Sequence, residues 1–373
     1  MYAGAGWHSG RGPYELPVVF VNDVRRTDKQ QGIFGELSVD INDDIELTLG
    51  ARWYDIEVDL EGSANASFGN GFGGPDEQRF GTNLSVQYDE PGAVSGNALL
   101  DALNYPDKAE TDGLIGKATV SWNPQEEVMY YLTWSEGFRP GLLNRPVGSS
   151  NADGSYTVKP EVDTDEITNF EFGWKTITKD GQLRFNGSAF YVDVTGLQST
   201  IFDPSIVNLF FSDNAADATI KGVEGDFTYY TNVEGLSVAG AFSFLDTEIT
   251  EKLVPTGDVI VGEELAFAPG MQGNIRVRQE FGMAGGNLGH FQLQFTYSDD
   301  SYSDIMEPNK AKQDSYSYID LRAGISNDEL TAELYVDNVT DERAEISNTF
   351  VFDRQRVAYI RPTTIGIRVK KNF

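Results

Sequence analysis

The sequence of 373 residues has no cysteine and only two histidines, His8 and His290. Without cysteine, disulfide scaffolds, thiol nucleophiles and thiolate-bound zinc sites are excluded. Two histidines leave little material for histidine-based metal sites or general bases. Basic residues are also scarce, because 28 Lys and Arg stand against 58 Asp and Glu, a net charge of −30 at pH 7. This balance argues against nucleic acid as a partner, since phosphate binding needs a basic surface.

Long apolar runs are missing as well. No stretch of about 18 apolar residues occurs, so the sequence predicts no transmembrane helix. Residues 1–7 have neither the basic nor the apolar region of a signal peptide. Aromatic residues, by contrast, make up 12% of the chain, and there are 39 glycines. This combination favours an all-β fold over a disordered acidic chain.

The dominant pattern has period 2, which is typical of strands with one apolar and one polar face. In residues 128–135, for example, apolar side chains on one face alternate with a second face that ends in hydroxyls. The same alternation runs through residues 47–53, 170–175, 183–191, 236–244 and 291–297. Counting such runs predicts about thirteen strands, many near the ~10 residues of tilted membrane-spanning strands.

The connections between these strands differ in length. Short turns rich in Asn, Asp, Gly and Pro are predicted at residues 41–44, 123–126, 179–181, 232–235 and 326–328. Long polar stretches lie between them, at residues 61–112, 140–165, 248–269 and 298–314. Short turns at one end and long loops at the other favour an outer-membrane barrel. A soluble β-sandwich or propeller stays possible, although no 20–50-residue repeat supports a propeller.

One passage carries a resemblance to a known family. Residues 131–144 follow the pattern Y-x-x-x-S-x-G-F-x-P-G, closed by Asn144, and this is similar to a strand-to-loop passage of TonB-dependent outer-membrane receptors. Five further passages fit the same family in the same order. They are Pro160-Glu161 with residues 169–175, residues 189–191, residues 214–224, residues 267–269, and residues 337–341 with 361–366.

The resemblance implies a fold and a place in a longer protein. The family forms a transmembrane antiparallel β-barrel of 22 strands around a plug. We therefore expect residues 1–373 to be the C-terminal portion of such a barrel, with about 13 of the 22 strands. The plug domain, the TonB-contacting segment, the signal peptide and the early strands are expected to be missing, which indicates an N-terminally truncated receptor. The resemblance implies neither enzymatic activity nor a tightly bound cofactor.

The C-terminal strand resembles the signal that the barrel-assembly machinery recognises in outer-membrane proteins. Ile365, Ile367 and Val369 alternate with other residues, and Phe373 is the last residue. Lys371 departs from the family pattern, because an apolar or aromatic side chain is usual there.

Several polar residues are candidates for the inner wall of such a barrel. Arg139 and Asn144 begin a long loop and are predicted to face the extracellular vestibule. Glu171, Lys175, Lys221 and Glu224 are predicted to face the lumen, together with Lys117, Thr119, Ser121, Arg184, Asn186, Arg276 and Arg278. Alternation would place such residues against a plug or along a substrate path. The alternative for each residue is membership of an interior charge network with a structural role.

The remaining sequence motifs give little support for any other function. The G-x-G-x-x-G match at residues 69–74 lies in a polar loop without the flanking strand and helix of a dinucleotide site. Acidic groups such as Asp163, Asp165 and Glu166 suggest paired catalytic carboxylates only weakly, because they fall at strand ends. Asp299, Asp300 and Asp304 could hold a divalent cation that bridges to lipopolysaccharide phosphates.

The resemblance implies active uptake of a scarce, bulky ligand across the bacterial outer membrane, with ferric siderophore as the commonest class. Expected partners are the TonB complex through the missing plug, the barrel-assembly machinery, and outer-membrane lipid and lipopolysaccharide. Two other functions are considered: a passive porin-like barrel, and a secreted soluble β-domain active on carbohydrates.

Overall fold

A computed structural model describes most of the chain in atomic detail. The described residues are 20–66, 108–144, 156, 158–159, 161–202, 210–255, 258–351 and 354–371. Within this part of the chain, no helix is both long and apolar enough to cross a membrane. About 75% of the described residues belong to β-strands.

Nineteen strands are present in the described residues. They are β1 Phe20–Asn42, β2 Ile45–Ala66, β3 Lys108–Gln125, β4 Val128–Arg139, β5 Leu142–Leu143, β6 Glu161–Val162, β7 Asp165–Ile177, β8 Leu183–Phe202, β9 Phe210–Tyr230, β10 Leu236–Lys252, β11 Met271–Gly282, β12 Leu288–Ser298, β13 Ser301–Tyr302, β14 Lys312–Gln313, β15 Tyr316–Ser326, β16 Leu330–Asp337, β17 Glu345–Val351, β18 Arg354–Tyr359 and β19 Thr364–Lys371.

Thirteen of these strands form one sheet, in the order β1-β2-β3-β4-β7-β8-β9-β10-β11-β12-β15-β16-β19. Every neighbouring pair is antiparallel, so the chain moves along the sheet in a simple meander. The predicted all-β antiparallel fold with about thirteen strands is confirmed. The sheet is open, because β1 and β19 do not pair with each other in the described residues. The alternative of a two-sheet sandwich is wrong, since the strands make one continuous layer.

One edge of the sheet carries the short turns. The turns after β1, β3, β7, β9 and β15 fall where the sequence predicts them. Side-chain amides close two of them: Asn42 Oδ1 accepts from the backbone N–H groups of Asp44 and Ile45 at 2.9 and 3.0 Å, and Asn327 Oδ1 accepts from Leu330 N–H at 2.9 Å. Such local bonds let a strand reverse within a few residues. A sixth short turn, which the sequence does not predict, lies between β11 and β12 and contains the 3-10 helix Ala284–Gly286.

The opposite edge carries the long connections. The connection after β4 holds the ladder β5–β6, that after β12 holds β13–β14, and that after β16 holds the hairpin β17–β18. The hairpin β17–β18 is not among the strands that the sequence predicts. Strands also extend into stretches predicted as loops, since β2 ends at Ala66, β3 starts at Lys108 and β10 ends at Lys252.

The two faces of the sheet differ in polarity. On the outer face, Leu47 pairs with Val120, Val120 with Leu132, and Leu132 with Phe172. Each of the last three side chains is well exposed, Leu132 at 59%. On the inner face, one residue further along, Thr48, Thr119 and Thr133 pair in a row that ends at Glu171. A continuous exposed apolar band of this kind is the surface that a barrel presents to lipid.

The apolar band ends sharply on β2. Apolar side chains occupy the outer face from Ile45 to Trp53, a span of nine residues that suits a tilted membrane-spanning strand. Beyond Trp53 the same face turns acidic, and Glu57 accepts hydrogen bonds from Lys29 at 2.7 Å and Lys108 at 2.8 Å. Because charged side chains begin beyond Trp53, the edge of the sheet that carries the long connections lies outside the hydrocarbon layer.

Buried apolar side chains concentrate at the long-connection edge rather than within the sheet. The larger cluster includes Ile201, Phe211, Ile249 and Met306. Ile249 pairs with Ala218 and lies on the same face of β10 as Ser243. Ser243 is on the inner face, because it pairs with Glu224, Glu224 with Ser188, and Ser188 with Gly173, which has the same parity on β7 as Glu171. The connection that contains Met306 therefore folds over the inner face, and this packing creates the cavities described below.

Candidate functional site

A cavity of about 380 Å³ lies at the long-connection edge, on the inner face of the sheet, and we call it the arginine cavity. It is lined by Arg139, Leu197, Gln198, Ser199, Thr200, Leu265, Ala266, Ser303, Asp304 and Ile305. These residues come from the ends of β4 and β8 and from the connections after β10 and β12. One basic and one acidic side chain thus face hydroxyl and aliphatic groups in a space large enough for a small-molecule group.

Arg139 is held in place by a buried carboxylate. Asp165 is only 1% exposed and accepts hydrogen bonds from the backbone N–H of Arg139 at 3.0 Å, from Arg139 Nε at 2.7 Å and from Arg139 Nη2. Gln198 N–H donates to the same carboxylate at 3.3 Å. Charge-assisted bonds from two guanidinium nitrogens to the same oxygen, Asp165 Oδ2, fix the guanidinium plane. Asp165 therefore ties together the ends of β4, β7 and β8.

Gln198 completes this junction. Its side-chain Nε2 donates to the backbone carbonyls of Pro140 and Asp163, both at 2.9 Å. The backbone carbonyl of Gln198 accepts from Arg139 Nη2 at 3.2 Å. The predicted vestibule residue Arg139 thus lines a cavity at the expected edge. About half of its side chain is exposed, which leaves the guanidinium accessible on one side.

Asn144, the other predicted vestibule residue, has a different position. It is 5% exposed, its Nδ2 donates to the carbonyls of Lys159 and Ser212 at 2.8 and 2.7 Å, and its Oδ1 accepts from Ser212 N–H at 2.8 Å. The side chain acts as a substitute for backbone pairing between a loop and β9. Asn144 does not line the arginine cavity, so the structure does not bring the two vestibule candidates together.

The register places three of the four lumen candidates on the inner face. Glu171 and Lys175 alternate with the outward Phe172, and Glu171 accepts a hydrogen bond from Tyr131 Oη at 2.5 Å. Glu224 pairs with Ser188 on β8, two positions from Asn186, which pairs with Lys175.

Lys221 lies on the outer face, contrary to the prediction. It pairs with Tyr191 on one side and Asp246 on the other, and these residues share the outer face with Val223 and Phe244. Because side chains alternate strictly along a strand, residues 221 and 224 must point to opposite faces. The prediction that Lys221 faces the lumen is therefore wrong.

The C-terminal strand keeps its amphipathic character. Ile365, Ile367 and Val369 lie on the outer face, 70%, 74% and 64% exposed, opposite Val336, Leu334 and Ala332. Phe373 lies outside the described residues. Recognition of this strand by the barrel-assembly machinery stays a prediction.

The acidic residues do not form a metal site. No group of three or more His, Asp or Glu side chains in the described ranges could hold a metal ion. Asp300 pairs instead with Lys312 at 2.9 Å, and Asp304 lines the arginine cavity. The cation hypothesis for Asp299, Asp300 and Asp304 is therefore wrong in its geometry.

Burial changes the titration of one cavity residue. Desolvation raises the pKa of Asp304 above its usual 3.8, although the N–H groups of Met306 and Ile305 and the side chain of Asn309 oppose this shift. The Met306 N–H donates to Asp304 Oδ1 at 3.0 Å. A carboxyl group that resists ionisation in a cavity can act as a hydrogen-bond donor at mildly acidic pH.

This shift has a testable consequence for stability. The folded chain keeps the Asp304 proton to a higher pH than the unfolded chain, so the contribution to the free energy of unfolding falls as pH rises from about 3.8 to the folded pKa. Asparagine does not ionise, so the Asp304→Asn variant does not lose stability in this way. We therefore expect the free energy of unfolding of Asp304→Asn, relative to that of wild type, to be higher at pH 7 than at pH 4. Urea unfolding at a series of pH values measures the difference.

Asp180 provides a control, because its pKa is shifted in the opposite direction to that of Asp304. Hydrogen bonds from Thr178 and from the Gln182 N–H lower its pKa, so its contribution to stability is lost as pH falls. We expect the difference between wild type and Asp180→Asn to shrink towards acid. The same pH trend for both variants, or no trend for Asp304→Asn, would contradict the assignment.

The comparison with known proteins decides the family. The family model described as "TonB dependent receptor-like, beta-barrel" matches residues 2–339. The chain belongs to the TonB-dependent receptor-like β-barrel family. The resemblance found in the sequence passages is thereby confirmed. Proteins of this family are outer-membrane transporters rather than enzymes, in agreement with the prediction of no enzymatic activity.

Solved receptors share the fold at low sequence identity. The ferric yersiniabactin uptake receptor FyuA from Yersinia pestis is 15% identical, with a TM-score of 0.70 over 94% of this chain and 46% of its own. The siderophore receptor PiuA from Acinetobacter baumannii is 15% identical, with a TM-score of 0.64 over 93% and 43%. The ferripyoverdine receptor of Pseudomonas aeruginosa is 15% identical, with a TM-score of 0.62 over 98% and 41%.

The chain spans less than half the length of these TonB-dependent receptors. Nearly all of this chain superposes on part of each larger protein. The comparison therefore establishes the fold of the sheet, whereas ligand and partners belong to the proposal below.

Two residues of the arginine cavity region were missed as functional positions. Asp165 appeared in the sequence only as a member of an acidic group, and Gln198 carried no signal. Their importance depends on contacts between strands that lie 26 and 33 residues apart in the chain. No local pattern records such contacts.

Proposed function

We propose that the chain forms the C-terminal wall of an outer-membrane, TonB-dependent transporter that imports a ferric siderophore. The observation that supports this most directly is the single thirteen-stranded antiparallel sheet, apolar outside and polar inside, in a chain of this family. An aqueous interior behind a lipid-facing wall suits passage of a bulky polar ligand. The named neighbours take up ferric yersiniabactin or bind ferripyoverdine.

The arginine cavity provides a place for ligand contact. It opens at the edge that lies beyond the apolar band, where a ligand arriving from outside would first meet the inner face. The Arg139 guanidinium is paired with Asp165 and oriented by it, so the N–H donors on its exposed side can bind an oxygen-bearing anionic group without a large ordering cost. Ferric complexes with anionic chelating groups match this chemistry.

Energy and assembly require partners that the described residues do not contain. We propose that the TonB complex acts through a plug domain, and that the barrel-assembly machinery inserts the sheet by reading the strand Thr364–Lys371 and the residues that follow. Outer-membrane lipid would contact the apolar band, and lipopolysaccharide would surround the charged rim near Glu57.

Transport of radiolabelled ferric siderophores into iron-starved cells tests the proposal. Deleting the gene that encodes this chain is expected to abolish high-affinity uptake of at least one ferric siderophore, and restoring the gene should recover it. Uptake should also stop when the TonB complex is removed. If deletion abolished the uptake of a small neutral solute instead, or if uptake continued without TonB, the passive porin-like alternative would be favoured.

A further inference from the structure

A second cavity, of about 200 Å³, lies beside the arginine cavity, and we call it the acidic cavity. Its lining includes Phe267, Asp299, Gln313, Asp314, Tyr316 and Glu345. The connections after β10, β12 and β16 meet here above the inner face. Phe267 N–H donates to the Tyr302 carbonyl at 2.7 Å. The two cavities are neighbours along the chain, because Ala266 and Ser303 line the arginine cavity whereas Phe267 and Ser301 line this one.

The charge in the acidic cavity has one sign. Three carboxylates, Asp299, Asp314 and Glu345, line it, and no Lys or Arg does. Among the described residues no basic side chain forms a salt bridge with any of them. The nearby Lys312 pairs with Asp300 at 2.9 Å and acts on Asp314 only through a longer-range Coulombic interaction. The hydrogen bonds that they accept come from neutral groups, such as Asn348 Nδ2 at 3.0 Å to Glu345. The cavity therefore attracts a cation.

A buried amide adds an independent observation. Gln313 is only 5% exposed, and its Nε2 has no hydrogen-bond acceptor in the described part of the chain. Its Oε1 is 3.5 Å from Ser301 Oγ. A buried donor without a partner is costly, and native structures contain few of them. An acceptor atom from a bound molecule would satisfy this N–H.

The occupant that fits these features is an organic cation rather than a bare metal ion. In the described residues the carboxylates do not converge into a metal-binding group, so they suit a larger cation that reaches each through a different N–H. The rings of Phe267 and Tyr316 also line the cavity, and aromatic faces attract ammonium groups.

We propose that the acidic cavity binds an organic ammonium group that carries a hydrogen-bond acceptor next to it. The carboxylates hold the ammonium, and Gln313 Nε2 donates to the acceptor. That this group belongs to the imported ligand rests on the proposed transport function. The two cavities would then bind the two ends of one ligand. An anionic part would contact Arg139, and an amine would contact the three carboxylates.

Titration of the purified chain in detergent micelles with ethanolamine, followed by calorimetry, tests the proposal. We expect ethanolamine to bind, and ethylene glycol, which lacks the charge, to bind at least about tenfold more weakly. The double variant Asp299→Asn with Glu345→Gln should lose about tenfold in affinity for ethanolamine. Asp43→Asn, at the exposed turn after β1, is the matched control and should leave the affinity unchanged. Equal affinity for both probes, or no effect of the double variant, overturns the proposal.

A second variant separates recognition from a folding defect. Propylamine has the ammonium group of ethanolamine but no hydroxyl acceptor. We expect Gln313→Met to weaken binding of ethanolamine and to leave that of propylamine unchanged. An equal change for both amines would mean that Gln313 only supports the loop, and would overturn its assigned contact.

The outcome is independent of the transport test. Amine binding with unchanged iron uptake in the deletion strain would refute the proposed function and leave the cavity assignment intact. Loss of iron uptake in that strain, without amine binding to the chain, would refute the cavity assignment alone.

Discussion

Replacing Leu132 by arginine is expected to cost about 2–4 kcal/mol of folding free energy in a bilayer, because the side chain lies in the lipid-facing band. Leu132 is 59% exposed and sits between Tyr130 and Trp134 on the outer face of β4, far from the charged rim. Arginine at this depth must either lose its hydration or distort the bilayer. The amount of protease-resistant protein in the outer membrane of expressing cells, and urea unfolding in lipid vesicles, measure the loss.

The adjacent residue gives a matched control. Thr133 lies on the inner face, where its hydroxyl is 2.9 Å from that of Thr119. Thr133→Arg places the same charge one position away in an aqueous interior, and we expect a cost of about 1 kcal/mol for the lost hydrogen bond. Equal costs for the two variants, or a larger cost at Thr133, would contradict the assignment of the two faces.

Replacing Asp165 by alanine is expected to destabilise the long-connection edge by about 3 kcal/mol. The substitution leaves the backbone N–H groups of Arg139 and Gln198 without their acceptor, and each buried unsatisfied donor costs about 1–3 kcal/mol. Arg139 would also lose the carboxylate that orients it. We therefore expect weaker ligand binding in addition to a lower free energy of unfolding, measured by urea denaturation and by uptake affinity.

Glu166→Gln controls for the removal of one negative charge from the same strand. Glu166 is exposed on the opposite face of β7 from Asp165, so its variant should change the unfolding free energy by less than about 0.5 kcal/mol. If both variants behaved alike, the contacts of Asp165 would not be responsible for the effect.

Much of the fold could be predicted because the underlying signals are local. Alternation along Val128–Arg139 identifies a strand and its two faces without any knowledge of neighbours. Asn42 and Asn327 mark turns because each amide bonds to backbone N–H groups two or three residues away. The error at Lys221 was avoidable on the same basis, since residues three apart on a strand lie on opposite faces.

The candidate site was predictable only in outline. Arg139 ends a strand that enters a long connection, and this local signal places it at the loop-bearing edge; its position in an extracellular vestibule stays a prediction. Asn144 shares that connection, yet its bonds to Ser212, 68 residues away, make it a structural tie. The acidic cavity escaped notice altogether, because Asp299, Gln313 and Glu345 belong to separate connections.

The sequence by itself determined the strand period, the approximate strand number, the separation of short turns from long connections, and the family. These properties follow from side-chain alternation and turn chemistry, which act over a few residues. Only the tertiary structure decided which loop residues meet over the inner face. That outcome depends on packing of buried side chains such as Ile249 and Met306, which come from connections far apart in the chain, and no short-range pattern encodes such contacts.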